Sequence, residues 1–229
     1  MVSPENDYDT FFNCNSSEDA NSVIRSLKNE IEQLKNITEH PDYNKSYSTG
    51  LYYNTRLAYA RESLEKAKQI LLKYGKVYVP TSDEIKAIQF QNNVPFINEI
   101  ELTFKNAFNF NTKHTAILRG NYFELKTDAP ISKLLHSADN DGSLVNKQEF
   151  LDIISKLYIG EWKNNYELSR FELTDSNVSH WELKISFSNG EDSVKIQGDG
   201  VYPYNFSNLE HLFGFDSVGI SGETNDDMF

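Results

Sequence analysis

Apolar residues along this chain recur at two different periods, and the change comes near residue 75. In SSEDANSVIRSLKNEIEQLKNI, Ile24, Leu27, Ile31 and Leu34 are spaced by three and four, which draws one narrow stripe along a helix. Ser16 or Ser17 stands where a cap is needed, and Glu18 and Asp19 fall in the first turn, where the helix dipole favours acids. The link TEHPDYNKSYSTG carries Pro41 and several turn formers. A second stripe follows in GLYYNTRLAYARESLEKAKQILLKYG, where Leu57, Ala60, Leu64, Ala67, Leu71 and Tyr74 hold a heptad register. Glu62 and Lys66 form an i, i+4 pair on its outside, and Gly75 is placed to end it. Two narrow stripes joined by a short link predict an antiparallel helical hairpin over residues 16–75. Such a hairpin either covers its own domain or protrudes as an arm or dimer seam.

Beyond Gly75 the period drops towards two. KVYVP predicts a short strand, and TSDEIKAIQF a short helix opened by the capping box Thr81-x-x-Glu84. NEIELTFKN alternates, with Ile100, Leu102 and Phe104 on one face and Glu99, Glu101, Thr103 and Lys105 on the other. HTAILRGNYFELKT predicts a hairpin turning at Gly120-Asn121. Helices are expected from about Pro130 and over 147–158. HWELKISF then places Trp181, Leu183, Ile185 and Phe187 inward, SNGED turns the chain, and SVKIQG returns with Val194 and Ile196 inward. A last helix, SNLEHLF, is expected to be capped by Asn205 or Ser207, stopped by Gly214, and to set Phe206, Leu209 and Leu212 on the sheet. The reading is an α+β fold: a helical hairpin, then a mostly antiparallel sheet flanked by short helices over 76–214. Residues 1–15 read as a loose leader and 215–229 as a mobile tail.

The formal net charge of −12 is unevenly placed. Residues 1–75 hold 11 acids and 9 bases, whereas residues 161–229 hold 13 acids and 4 bases. A field of that sign repels phosphate backbones, which argues against direct nucleic-acid binding, and it steers towards a basic protein surface. The start MVSPENDYDTFF has no secretion-signal pattern, and no apolar run is long enough to span a bilayer, so no membrane partner is expected. The single cysteine, Cys14, cannot pair within the chain, which points to a reducing cytoplasm.

SADNDGSLVNKQEFLDII resembles a calcium loop but lacks its ends. With Gly142 at the sixth position, Asp139 and Asp141 fall correctly, but Ser137 stands at the first and Gln148 at the twelfth, where a bidentate carboxylate belongs. Sliding the register to use Glu149 puts Ser143 in place of the glycine. Asn146-x-x-Glu149 capping a helix explains the same residues without a metal. Glu124-Leu125-Lys126 and Glu182-Leu183-Lys184 match the carboxylate–lysine triplet of metal-dependent nucleases, with Asp175 upstream of the second, but solvated strand faces carry the same spacing. The five histidines and Cys14 form no ligand or nucleophile pattern. No catalytic residue, metal site or cofactor is expected.

GEWKNNY, HWELKISFSNG and IQGDGVYPYNFSNLEHLFG together resemble a C-terminal module of uncharacterised proteins from Gram-positive bacteria and their phages, over about residues 158–214. The resemblance implies a bacterial or phage setting and brings no activity with it. The expectation is a cytoplasmic, non-enzymatic binding factor of the inhibitor or immunity kind. It would meet a basic partner through Glu182, Glu191, Asp192, Asp199, Tyr202 and Tyr204. The alternatives are an assembly subunit that self-associates through the hairpin, and a metal-dependent hydrolase built on Glu182 and Lys184.

Overall fold

The computed structural model describes residues 16–43, 47–105, 111–128, 143–174 and 178–213, with no side chains described for 47–51. The expected leader, the tail, the helix near Pro130 and residues 137–142 of the calcium-like stretch lie outside them.

Helix α1 (Ser17–Thr38) opens with the Ser16 hydroxyl accepting from the Asp19 amide at 3.1 Å. Helix α2 (Tyr47–Lys73) ends as its glycine predicts: Gly75 takes φ +73°, its amide donates to Leu72 O and the Lys76 amide to Leu71 O. That double bond closes the last turn in the Schellman manner. The α1 stripe and the residues Leu57, Ala60, Leu64, Ala67 and Leu71 are all buried, so the narrow faces bury each other and belong to one continuous core. Only Tyr74, at the end of the register, stands exposed. Outside the hairpin, Glu62 and Lys66 pair at 2.7 Å.

KVYVP forms no strand. Residues 76–80 carry no regular structure and pair with no strand among the described residues, and the chain enters helix α3 (Ser82–Asn93) through the complete Thr81–Glu84 capping box. Among the described residues seven strands follow: β1 (Ile97–Lys105), β2 (Asn111–Arg119), β3 (Tyr122–Asp128), β4 (Ser143–Asn146), β5 (Asn165–Glu167), β6 (His180–Phe187) and β7 (Val194–Asp199). They make one sheet in the order β4-β3-β2-β1-β6-β7-β5, antiparallel except where β5 meets β7. The β2–β3 turn falls on Gly120-Asn121, with Arg119 opposite Tyr122 and Gly120 at φ +61°. The fold is therefore α+β, as the pattern predicts.

The helix expected over 147–158 is found, but the residues just before it, read only as its cap and approach, also form a strand. Residues Ser143–Asn146 are strand β4, paired with β3, and helix α4 (Lys147–Lys156) starts directly from it. Asn146 does cap α4, accepting from the amides of Gln148 and Glu149.

One sheet face is covered by α4, helix α5 (Phe206–Leu212) and the segments between. Phe123 stacks on Phe150 at 4.1 Å, and Trp181 lies against Phe206 at 4.6 Å. Phe206 and Leu209 are buried and Leu212 partly so, as the α5 pattern predicts. Asn205 does not cap α5. Its side chain accepts from Trp162 Nε1 at 3.0 Å and donates to Leu157 O at 2.6 Å, because those groups would otherwise be left unpaired in the core.

His114 sits inside, on β2, 1% exposed, with Nδ1 2.9 Å from Thr127 Oγ1. Burial pulls its pKa from 6.5 down to about 4. The folded protein therefore refuses a proton that the unfolded chain accepts below 6.5. Stability is intact above that value and is lost as pH falls towards 4, by roughly 3 kcal/mol. Urea unfolding at stepped pH is expected to show this slope, and His114→Gln to flatten it between pH 6.5 and 4.

Candidate functional site

Two of the four expected acidic residues, Glu182 and Asp199, stand apart from the other two. Glu182 lies mid-sheet on the open face, opposite Thr103 and Gln197. Along that face the outward residues include Glu99, Glu101, Glu124, Asp128, Glu182 and Asp199, but also Lys105, Lys113, Arg119, Lys126, Lys184 and Lys195. Such a face is mixed in sign. Lys113 pairs with Glu101 at 2.6 Å and Lys126 with Glu124 at 2.9 Å, so the first Glu-x-Lys triplet closes on itself. Asp199 is bonded to His180 at 2.8 Å, at the end of the β6–β7 hairpin remote from its turn. Asp175, the upstream acid for the second triplet, lies outside the described residues. Among the described residues no three His, Cys, Asp or Glu side chains converge as a metal would require.

The two tyrosines are not surface anchors. Tyr202 is half-buried with its ring stacked on Trp181, and Tyr204 is 9% exposed. Tyr204 OH accepts from Arg61 Nη2 at 2.7 Å, and burial pushes its own pKa well up. This contact belongs to a charged seam that locks the hairpin to the rest of the chain. Glu161 bridges the two helices, 2.8 Å from Lys35 Nζ and 2.5 Å from Arg61 Nη2. Burial alone would raise its pKa, but Arg61 and Lys35 outweigh that and hold it below the ordinary value. Arg61 also lies over the Tyr158 ring at 4.2 Å, which gives a reason for Tyr158 to hold the left-handed backbone at φ 51°. Arg170 bonds Glu39 and Asn36 at the carboxyl end of α1, where the helix dipole favours a cation. The hairpin thus covers its own domain, with its apolar stripes inside.

Glu191 and Asp192 remain, side by side and exposed in the β6–β7 turn. They border a cleft of about 420 Å³ between that turn and α3. Phe90, Ile159, Phe187, Val194 and Ile196 line it, with Lys86, Gln89, Asn92 and Asn93 on the α3 side. Phe90 and Phe187 meet edge to face at 6.2 Å. The walls are held from several sides. Asn189 donates to Asn93 Oδ1 at 2.9 Å, the Ser188 amide to Phe96 O at 2.8 Å, and Lys86 Nζ to Asn164 Oδ1 at 2.8 Å. At the back, α3 rests directly on Gly160. A Cβ there would stand 2.7 Å from Phe90 Cβ and 2.8 Å from Ala87 Cα. Only glycine lets the helix approach so closely.

The chemistry of the cleft is that of an apolar trough with two carboxylates at one lip. Lys and Arg side chains suit such a place, since the stem lies on carbon and the charged head reaches the acids. Of the six expected site residues, Glu191 and Asp192 alone are brought together at a concave surface. Lys86, Phe90, Ile159, Gly160 and Phe187 were missed by sequence reasoning. Gly160, in GEW beside a predicted helix end, was the one available signal. Comparison with family models, curated proteins and solved structures finds no match. No helix among the described residues is long and apolar enough to cross a membrane.

Proposed function

We propose that this protein is a non-catalytic binding factor of the bacterial or phage cytoplasm, which holds a basic side chain of a partner protein in the cleft between α3 and the β6–β7 turn. The carrying observation is the pairing of Glu191 and Asp192 with the Phe90–Phe187 trough, in walls already fixed by hydrogen bonds. A pre-formed recess spends little free energy on ordering itself when it binds. The net charge of −12 adds long-range attraction for a basic partner. An inhibitor or immunity protein works by this kind of occupation rather than by turnover, and the resemblance over 158–214 is the ground for proposing a bacterial or phage setting.

Capture from the source cell on the immobilised protein, beside a Glu191→Lys/Asp192→Lys variant, tests the reading. Partners recovered by the wild type and lost by the variant are expected, with affinity falling about tenfold to a hundredfold as two lip charges reverse. Both residues are exposed, so the variant keeps its fold. The same partners on both proteins would remove the cleft from the account.

A further inference from the structure

Between α2 and α3 the chain does something the core does not explain. Among the described residues, no hydrogen bond is made by the main-chain groups of Val77, Tyr78 and Val79. Their side chains alternate as in a strand: Val77 is 75% exposed, Val79 is 81% exposed, and Tyr78 turns inward. Tyr78 is firmly held. Its hydroxyl lies 2.7 Å from Glu84 Oε2 and 2.9 Å from Lys28 Nζ, and Lys68 stands 4.9 Å from its ring. The segment is therefore fixed by its middle residue while both valines and the backbone face water. Leu72, Tyr74, Ile85 and Ile88, on the adjoining helix ends, add exposed apolar surface beside it.

A fixed, unpaired, apolar stretch of main chain is a template for another strand. Its charges say which one. Lys73 and Lys76 precede the segment, and Asp83 follows it in the first turn of α3. Base at one end and acid at the other make it complementary to its own copy in the antiparallel sense only. In the parallel sense lysine would meet lysine. We infer that residues 76–80 are a homodimer contact, in which two copies pair antiparallel about a two-fold axis at Tyr78. Val77 of one copy then faces Val79 of the other, twice. The lysine end of each segment lies towards Asp83 of its partner. Pro80 has no amide to donate, so the ladder stops there and the contact stays short. This surface is separate from the cleft and does not rest on the proposed function.

Sedimentation velocity on the full chain, from about 5 to about 500 µM, reads the equilibrium directly. A reversible monomer–dimer exchange is expected for the wild type. Val77→Glu/Val79→Glu, at two exposed positions, is expected to weaken it by about tenfold or more. Asp83→Lys is expected to weaken it as well, and Lys76→Glu added to Asp83→Lys to recover most of the loss, because the charges are then swapped end for end. A wild-type monomer throughout the range overturns the inference. So does a dimer that the valine variant leaves unchanged, since another face would then be responsible.

Discussion

Trp181→Ala is expected to lower the unfolding free energy by about 4 kcal/mol, among the largest single losses available in this chain. Trp181 is fully buried on β6, and its indole N–H donates to Val201 O at 2.8 Å. Phe206, Tyr166 and Tyr202 surround it at 4.6, 5.8 and 6.0 Å between ring centres. Removing the ring leaves a cavity, and it also leaves the Val201 carbonyl without its partner. The neighbouring backbone shows how little the site can adjust. A Cβ on Gly198 would stand 2.5 Å from Trp181 Nε1 and 2.7 Å from Val201 O, with backbone on one side and a locked ring on the other. Urea unfolding followed by circular dichroism measures the effect. Trp181→Phe, which keeps most of the volume and loses the hydrogen bond, should fall between wild type and alanine.

Glu161→Ala is expected to cost about 3 kcal/mol by a different route. The side chains of Lys35 and Arg61 are only 12% and 16% exposed, and Glu161 is the carboxylate between them. Without it Arg61 loses its carboxylate while Lys35 keeps only the exposed Glu32 at 3.3 Å, and an uncompensated, mostly buried charge is expensive. Arg61→Met together with Glu161→Met should recover part of the loss, since an apolar pair asks for no desolvation of charge. The acid limb gives a second readout. The folded-state pKa of Glu161 lies below its ordinary 4.5, so its contribution is present above that value and fades as pH falls through the folded pKa. Glu84 behaves likewise over a lower window. Burial pushes its carboxyl up, but bonds from the Thr81 amide, Tyr78 and Lys28 hold it at about 2, so its contribution fades between 4.5 and about 2. The alanine variant of Glu161 should lose stability less steeply in acid than the wild type.

What the sequence revealed, it revealed through local periodicity. The stripe from Ile24 to Leu34, the glycine after α2, the Thr81–Glu84 box and the Gly120-Asn121 turn all depend on residues a few positions apart, and each is found where expected. KVYVP fails for a physical reason. Alternation equips a segment to be a strand, but a strand also needs a neighbour, and this one has none among the described residues. Tyr204 was misjudged because the group that satisfies its hydroxyl, Arg61, comes 143 residues earlier. The acidic patch was misjudged because charge counted along the chain is not charge in space. Folding sets Glu182 on a sheet face that β1, β2, β3 and β7 stock with lysine and arginine, and it sinks Glu161 between two cations. The cleft was half legible. Glu191 and Asp192 stand in an obvious turn, but Phe90 and Phe187 come within reach of each other only through the packing of α3 on the end of the sheet.

In the proposed function Glu191 and Asp192 draw a basic side chain into the cleft, and the salt dependence of association reads that attraction. With the partner recovered by capture, the association rate is expected to fall about tenfold or more between 50 and 500 mM salt, in rough keeping with screening of lip charges. The Glu191→Lys/Asp192→Lys variant should bind slowly at both. A wild-type rate that ignores salt, or a variant that associates as fast as the wild type, would contradict it.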